Sequence, residues 1–211
     1  MKILPLALAA TALALAAGCA NPGRSRDLGN PAIEGRVLAQ QACSLCHGVT
    51  GVAASPEFPN LAAQSEPYIV AQLTEFRSHS RQDPAGAEYM WGVTRRLTDA
   101  QIQALASYYA AQKPARQVPE GRPDRVAAGA VLFAQGAADR GVPACASCHG
   151  DHGQGLAVFP RLAGQHADYV VKQLGVFKRG EERPDGAAMK VVAHGLTPDD
   201  IANAAAYVQG L

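Results

Sequence analysis

Cys43-Ser44-Leu45-Cys46-His47-Gly48 returns 102 residues later as Cys145-Ala146-Ser147-Cys148-His149-Gly150. The match extends outward from both copies. Phe58-Pro59-Asn60-Leu61-Ala62 recurs as Phe159-Pro160-Arg161-Leu162-Ala163, now at an offset of 101. Gln64, Tyr68, Gln72, Leu73 and Phe76 keep that offset with Gln165, Tyr169, Gln173, Leu174 and Phe177. Met90, Leu97, Thr98 and Tyr108 then pair with Met189, Leu196, Thr197 and Tyr207 at an offset of 99. Fixed landmarks with a slowly drifting offset mark one unit duplicated in tandem, with small loop deletions between the copies.

Each copy reads as all-α. A helix leads into the cysteine motif over Ile33–Gln41 in the first copy and Ala127–Ala134 in the second. A middle helix follows over Pro67–Arg77 and Ala167–Lys178, with Tyr, Leu and Phe at helical spacing. Final helices start at Thr98, where Thr98-Asp99-Ala100-Gln101 has the form of a capping box, and at Thr197, where Pro198 takes the first helical position. Strand signals are nearly absent. The second copy inserts Gln135–Pro143, a glycine-containing loop. Between the copies, Lys113–Pro123 carries three prolines in eleven residues and reads as an extended linker. The organisation expected is a domain over 31–112, a linker over 113–124 and a second domain over 125–211.

The 211 residues are 48% hydrophobic and 18% charged, with a formal net charge of +1. That apolar fraction excludes wholesale disorder. Near-zero charge argues against nucleic-acid binding, which needs a basic face to displace counterions. Residues 1–18 read as a secretory signal peptide: Lys2 precedes an apolar run that is too short for a comfortable membrane span. Leu15-Ala16-Ala17-Gly18-Cys19 resembles a bacterial lipobox, although Leu15 sits one place further from the cysteine than usual. On that reading Cys19 is lipidated, residues 19–30 form an exposed tether, and the protein is membrane-associated on the periplasmic side. The alternative is ordinary cleavage after Ala20, which leaves a soluble periplasmic protein.

Cys-x-x-Cys-His is the motif with chemistry. In a c-type haem site the two thiols add to the vinyl groups and the histidine supplies an iron ligand. Positions i, i+3 and i+4 share one helix face, so both anchors and the ligand meet one porphyrin edge. The rivals are structural zinc, a redox-active dithiol and a plain disulfide. Zinc would need ligands pooled across about 100 residues, and a thioredoxin-like pair belongs in a βαβ context that is missing here. The expectation is two covalently bound haem c groups, attached at Cys43 and Cys46 and at Cys145 and Cys148, with His47 and His149 as axial ligands.

The sixth ligand separates electron carriage from substrate chemistry. Beyond the signal the chain has only Met90 and Met189, at matching places shortly before the final helices. Methionine is ordinarily a core filler. Scarcity and registration nevertheless favour Met90 and Met189 as axial ligands. His79, His152, His166 and His194 have no counterpart in the other copy and read as surface or hydrogen-bonded histidines, with His194 the rival ligand to check. Pro59 and Pro160 are candidates to aim a carbonyl at the proximal imidazole, with a simple turn as the alternative. Arg161, Gln64 and Gln165 divide between haem-propionate contacts and solvated surface. Tyr68/Tyr169, Phe76/Phe177 and Tyr108/Tyr207 read as core packing.

At this point the chain resembles the dihaem cytochrome c4 family. The run Phe159–Leu174 and the segment Gly141-Val142-Pro143-Ala144-Cys145 are especially similar to it, and the likeness spans Pro31 to Gly210. The first copy departs at Ala63 and at Ser65-Glu66-Pro67. The resemblance implies two tandem class I cytochrome c domains about a pseudo-twofold, with haem propionates near their interface. It also implies a periplasmic electron carrier, not an enzyme, passing electrons from a quinol-oxidising complex to a terminal oxidase. Alternatives are a dihaem electron-transfer subunit of a sulfide-dehydrogenase type complex, or a dihaem enzyme such as thiosulfate dehydrogenase or peroxidase.

Overall fold

The computed structural model describes residues 28, 30, 33–84, 86–118, 123–181 and 183–211. Residues 1–18 and Cys19, where a signal peptide and a lipid anchor are expected, and residues 119–122 of the expected linker lie outside the described residues. The first half runs α1 (Gly35–Leu38), a π-turn (Ala39–Cys43), α2 (Ser44–His47), α3 (Glu66–Arg77), α4 (Ala87–Thr94) and α5 (Asp99–Ala110). The second runs α6 (Pro123–Gln135), α7 (Ala146–His149), α8 (Ala167–Arg179), α9 (Ala187–His194) and α10 (Pro198–Gln209). Among the described residues the only β-structure is two isolated bridges, Ala137–Val142 and Leu156–Phe159. The first of these closes the inserted loop of the second half.

Two differences from the sequence reading stand out. Helix α1 continues through a π-turn into the motif rather than stopping at Gln41, so Cys43 ends one helical segment and begins the next. The methionines lie inside α4 and α9, short helices that the pattern does not announce. Gly92 and the exposed Tyr89 and Trp91 blur the periodicity of α4. Both final helices begin as expected. Thr98 and Thr197 accept from the Gln101 and Asp200 amides, and those side chains return bonds to the threonine amides.

Each half is held by its first helix crossing its last. In the first core, Leu38 and Ala39 pack with Ile102, Leu105, Ala106 and Tyr109. In the second, Leu132 and Phe133 pack with Ile201, Ala204, Ala205 and Val208. At both crossings a glycine sits where backbones touch. A Cβ on Gly35 would lie 2.4 Å from the Ala104 carbonyl oxygen, and one on Gly129 would lie 2.0 Å from that of Asn203. These crossings form the scaffold from which the motif helix and the methionine helix project.

The halves meet face to face with two-fold-like reciprocity. The Gln64 side chain bonds the backbone of Arg161, and the Gln165 side chain bonds the backbone of Asn60. Gln64 corresponds to Gln165, and Asn60 to Arg161, in the internal repeat. This exchange of equivalent partners is the signature of an isologous contact. Residues 113–118 form neither helix nor strand and reach the second half, where the Val118 carbonyl accepts from Gln209 Nε2 at 2.9 Å.

Candidate functional site

The motif helices are one turn long because glycine ends them. Gly48 and Gly150 take φ of 74° and 83°, and a Cβ on Gly48 would come 2.0 Å from the Val52 carbonyl oxygen. The chain then folds back. The Gly51 carbonyl accepts from the Leu61 and Ala62 amides at 2.7 and 3.0 Å, and the Gly153 carbonyl from Leu162 and Ala163 at 2.7 and 2.9 Å. This turn delivers the Pro59 carbonyl to His47 Nδ1 at 3.0 Å and the Pro160 carbonyl to His149 Nδ1 at 2.8 Å. A carbonyl only accepts, so Nδ1 carries the proton and Nε2 is left with a lone pair. Burial lowers the pKa of both imidazoles, which keeps them neutral, as metal ligation requires. The prolines therefore do more than turn the chain.

The four motif cysteines are unpaired and half-buried. Burial pushes the Cys43 thiol up to about 11 and raises that of Cys145. Among the described residues no three His, Cys, Asp or Glu side chains converge as a zinc site would require. A thioether has no proton to titrate, so carbon–sulfur bonds suit these surroundings better than thiolates. Met90 and Met189 are half-buried, on helices that pack against α3 and α8.

The other histidines divide. His166 is buried, and its Nε2 donates to the Ala53 carbonyl of the other half at 3.0 Å. His79 lies against Trp91, ring centroids 5.2 Å apart. His194 is exposed at the end of α9, its backbone carbonyl accepting from Lys178 Nζ at 3.0 Å.

The interface holds residues that sequence reasoning left aside or misjudged. Gln64 and Gln165 are buried at the joint rather than solvated. Tyr68 is not simple core packing, because its hydroxyl accepts from Arg183 Nη2 at 3.2 Å. Arg81 and Arg183, both 4% exposed, converge on the same two glutamine oxygens. Gln72 Oε1 accepts from Arg81 at 2.6 Å and from Arg183 at 2.9 Å. Gln173 Oε1 accepts from Arg81 at 3.3 Å and from Arg183. A signal for this cluster exists in the sequence: Arg81-x-Asp83 recurs as Arg183-x-Asp185 at an offset of 102.

Asp83, 1% exposed, pairs with Arg81 at 2.5 Å. Burial alone would raise its pKa, but the Arg81 hydrogen bond and charge outweigh burial and the net shift is downward. A depressed carboxylate pKa adds stability above the unfolded value of about 3.9 that is lost as pH falls through the folded pKa. Asp83→Asn is therefore expected to cost about 2 kcal/mol at neutral pH. The difference from the parent should shrink in denaturant titrations below about pH 4. A pH-independent difference would contradict the charged role of Asp83.

Besides Asp83, the carboxylates of Glu75 and Asp185 lie against this cluster, both accepting from Gln72 Nε2, and Arg183 acts on Glu75 electrostatically. Arg161 Nε and Arg183 Nε are buried donors without a protein acceptor, whereas the Tyr109 hydroxyl pairs with the Cys43 thiol. Unsatisfied donors of this kind call for acceptors from a bound group. A porphyrin with two carboxylates, anchored at the cysteine motifs, fits this donor set.

A family model, "Cytochrome c", matches residues 32–112 and 126–211. Cytochrome c4 of Azotobacter vinelandii is 37% identical over 217 residues, covering 99% of this chain and 96% of its own. The crystal structure of reduced recombinant cytochrome c4 from Pseudomonas stutzeri superposes with a TM-score of 0.76 at 36% identity, covering 84% of this chain and 96% of that one. A "thiosulfate dehydrogenase electron acceptor" from Stutzerimonas stutzeri strain A1501 is 34% identical over 173 residues, covering 80% of this chain and 78% of its own. The two tandem matched regions agree with the duplicated motif helices. The chain belongs to the dihaem cytochrome c4 family, as a c-type electron carrier of two cytochrome c domains with two covalently bound haem c groups.

Proposed function

We propose that each domain holds its haem through one cysteine pair, Cys43 with Cys46 and Cys145 with Cys148, with axial ligation by His47 and Met90 and by His149 and Met189. The observation that carries this reading is the Nδ1-to-proline-carbonyl bond, made twice, which leaves an unprotonated Nε2 on each motif histidine. When bound, each haem supplies a one-electron Fe(III)/Fe(II) couple. The methionine thioethers favour the reduced state and raise the potential, while the proline carbonyls fix the imidazole tautomer. Arg183 and Arg161, each with a buried Nε that no protein acceptor meets, would compensate propionate charge at the domain interface. No bond of a substrate is made or broken, so the protein is a carrier rather than an enzyme.

The setting that suits such a carrier is the periplasm, after removal of residues 1–18, with Cys19 as a lipid-bearing membrane tether. Domains over 31–112 and 125–211 joined by 113–124 would dock in turn on a quinol-oxidising complex and a terminal oxidase. A second reading of the donor rests on the likeness to a thiosulfate dehydrogenase electron acceptor: the same carrier then serves a sulfur-compound dehydrogenase. Far-red absorbance of the oxidised protein tests the ligand set through the weak sulfur-to-iron charge-transfer band. Intensity for two methionine-bound haems is expected. Intensity for one or none would overturn the symmetric assignment and favour an enzymatic dihaem site.

A further inference from the structure

The peptide unit that holds each motif histidine is itself held by the other domain. The Pro59 carbonyl accepts from His47 Nδ1 at 3.0 Å. The N–H of that same peptide belongs to Asn60 and donates to Gln165 Oε1 at 2.8 Å. In the second domain the Pro160 carbonyl accepts from His149 Nδ1 at 2.8 Å, and the Arg161 N–H donates to Gln64 Oε1 at 2.6 Å. Each glutamine also donates from Nε2 to the carbonyl of the residue it accepts from, at 3.0 Å in both cases. This two-point grip fixes which amide atom faces the N–H. Each Oε1 accepts in addition from the amide of its own next residue, His166 at 3.1 Å and Ser65 at 2.9 Å. All the peptides described are trans, so the carbonyl and N–H of each unit point in opposite directions. Imidazole, peptide and glutamine thus form a chain of hydrogen bonds across the interface.

We propose that Gln165 and Gln64 are crosswise positioning residues. Gln165 of the second domain sets the electron-donating strength of His47, and Gln64 of the first sets that of His149. The inference rests on the reading of His47 and His149 as iron ligands. A peptide whose N–H donates to a strong acceptor becomes a better acceptor at its own carbonyl, an effect of about 10–30% per bond. A stronger bond at Nδ1 makes Nε2 more basic, and a more basic ligand favours Fe(III). The glutamine therefore lowers the potential of the haem in the opposite domain. Both glutamines are 6% exposed, so water does not replace them readily.

The test replaces one glutamine at a time with methionine, which keeps the length and removes the amide. Haem methyl signals in paramagnetic NMR then follow each iron through a redox titration. In Gln165→Met the Fe(II)/Fe(III) ratio of the first-domain haem at a fixed potential is expected to rise about threefold, or ~28 mV at 59 mV per tenfold. The second-domain haem should stay near its parent value, and Gln64→Met should show the converse. Gln165→Glu, which keeps an acceptor for the Asn60 amide, should move the first-domain haem to or below the parent ratio. Equal shifts of both haems in both variants would reveal simple loosening of the interface and overturn the relay. So would a shift confined to the mutated domain, no shift at all, or a rise in Gln165→Glu. The parent separates the two readings: without a histidine–methionine signature there, the ligand set fails, whereas a normal signature without crosswise shifts defeats the relay alone.

Discussion

In the Gly129→Ala protein the thermal transition is expected to fall by more than about 10 °C, although alanine is the better helix former by ~1 kcal/mol. The added Cβ would lie 2.0 Å from the Asn203 carbonyl oxygen, 2.7 Å from its carbon and 2.7 Å from the Tyr207 Cβ. Two of those three atoms are backbone, so no rotamer change relieves the contact and α6 must move off α10. Overpacking of this kind costs roughly 1–3 kcal/mol, and backbone opposition puts this site at or above the top of that range. A loss of 3 kcal/mol in a domain of this size corresponds to roughly 12–24 °C. Gly92→Ala is the control. It lies within α4 with no atom near its Cβ position, so propensity alone should act and stability should rise by about 0.5–1 kcal/mol. Calorimetry on the holoprotein checks both, and equal behaviour of the two variants would mean that the helix crossing is not close-packed as described.

Met189→Leu is the second large effect. If Met189 is the proposed sixth ligand, leucine preserves volume in the half-buried α9 position and removes the only atom able to bind iron. Far-red intensity should drop by one haem's worth, and the potential of the second-domain haem should fall by on the order of 100 mV, within the ~0.8 V that axial ligands span. Met90→Leu should do the same to the first domain. Thermal stability should change little beside Gly129→Ala, since leucine for methionine is close to volume-conserving and costs under ~1.5 kcal/mol. An unchanged far-red band in either variant would show that its methionine only packs, and would reopen the dehydrogenase and peroxidase alternatives.

The motif, the duplication and the capped final helices were legible because they depend on residues close together in sequence. Three spaced side chains on one helical turn already define a haem anchor, and Thr98 with Gln101 already defines a helix start. The helices carrying Met90 and Met189 were not legible. They are eight residues each, too short to fold on local propensity, and they form because α3 and α8 give them a surface. The interface was legible only as a list of repeated residues. Gln64, Gln165, Arg81 and Arg183 could equally have faced water, because nothing local distinguishes a polar side chain in solvent from one satisfied by a partner about 100 residues away.

By itself, then, the sequence determined an all-α duplicated chain with two covalent haems, and it pointed to the cysteines and histidines proposed to hold them. Tertiary structure decided which polar groups are buried, how two arginines come to share two glutamine oxygens, and that each proximal peptide is gripped from across the interface. The physical reason is range: helix spacing and caps act over three or four residues. The burial of a charge or an amide is repaid only when two folded surfaces meet in one orientation.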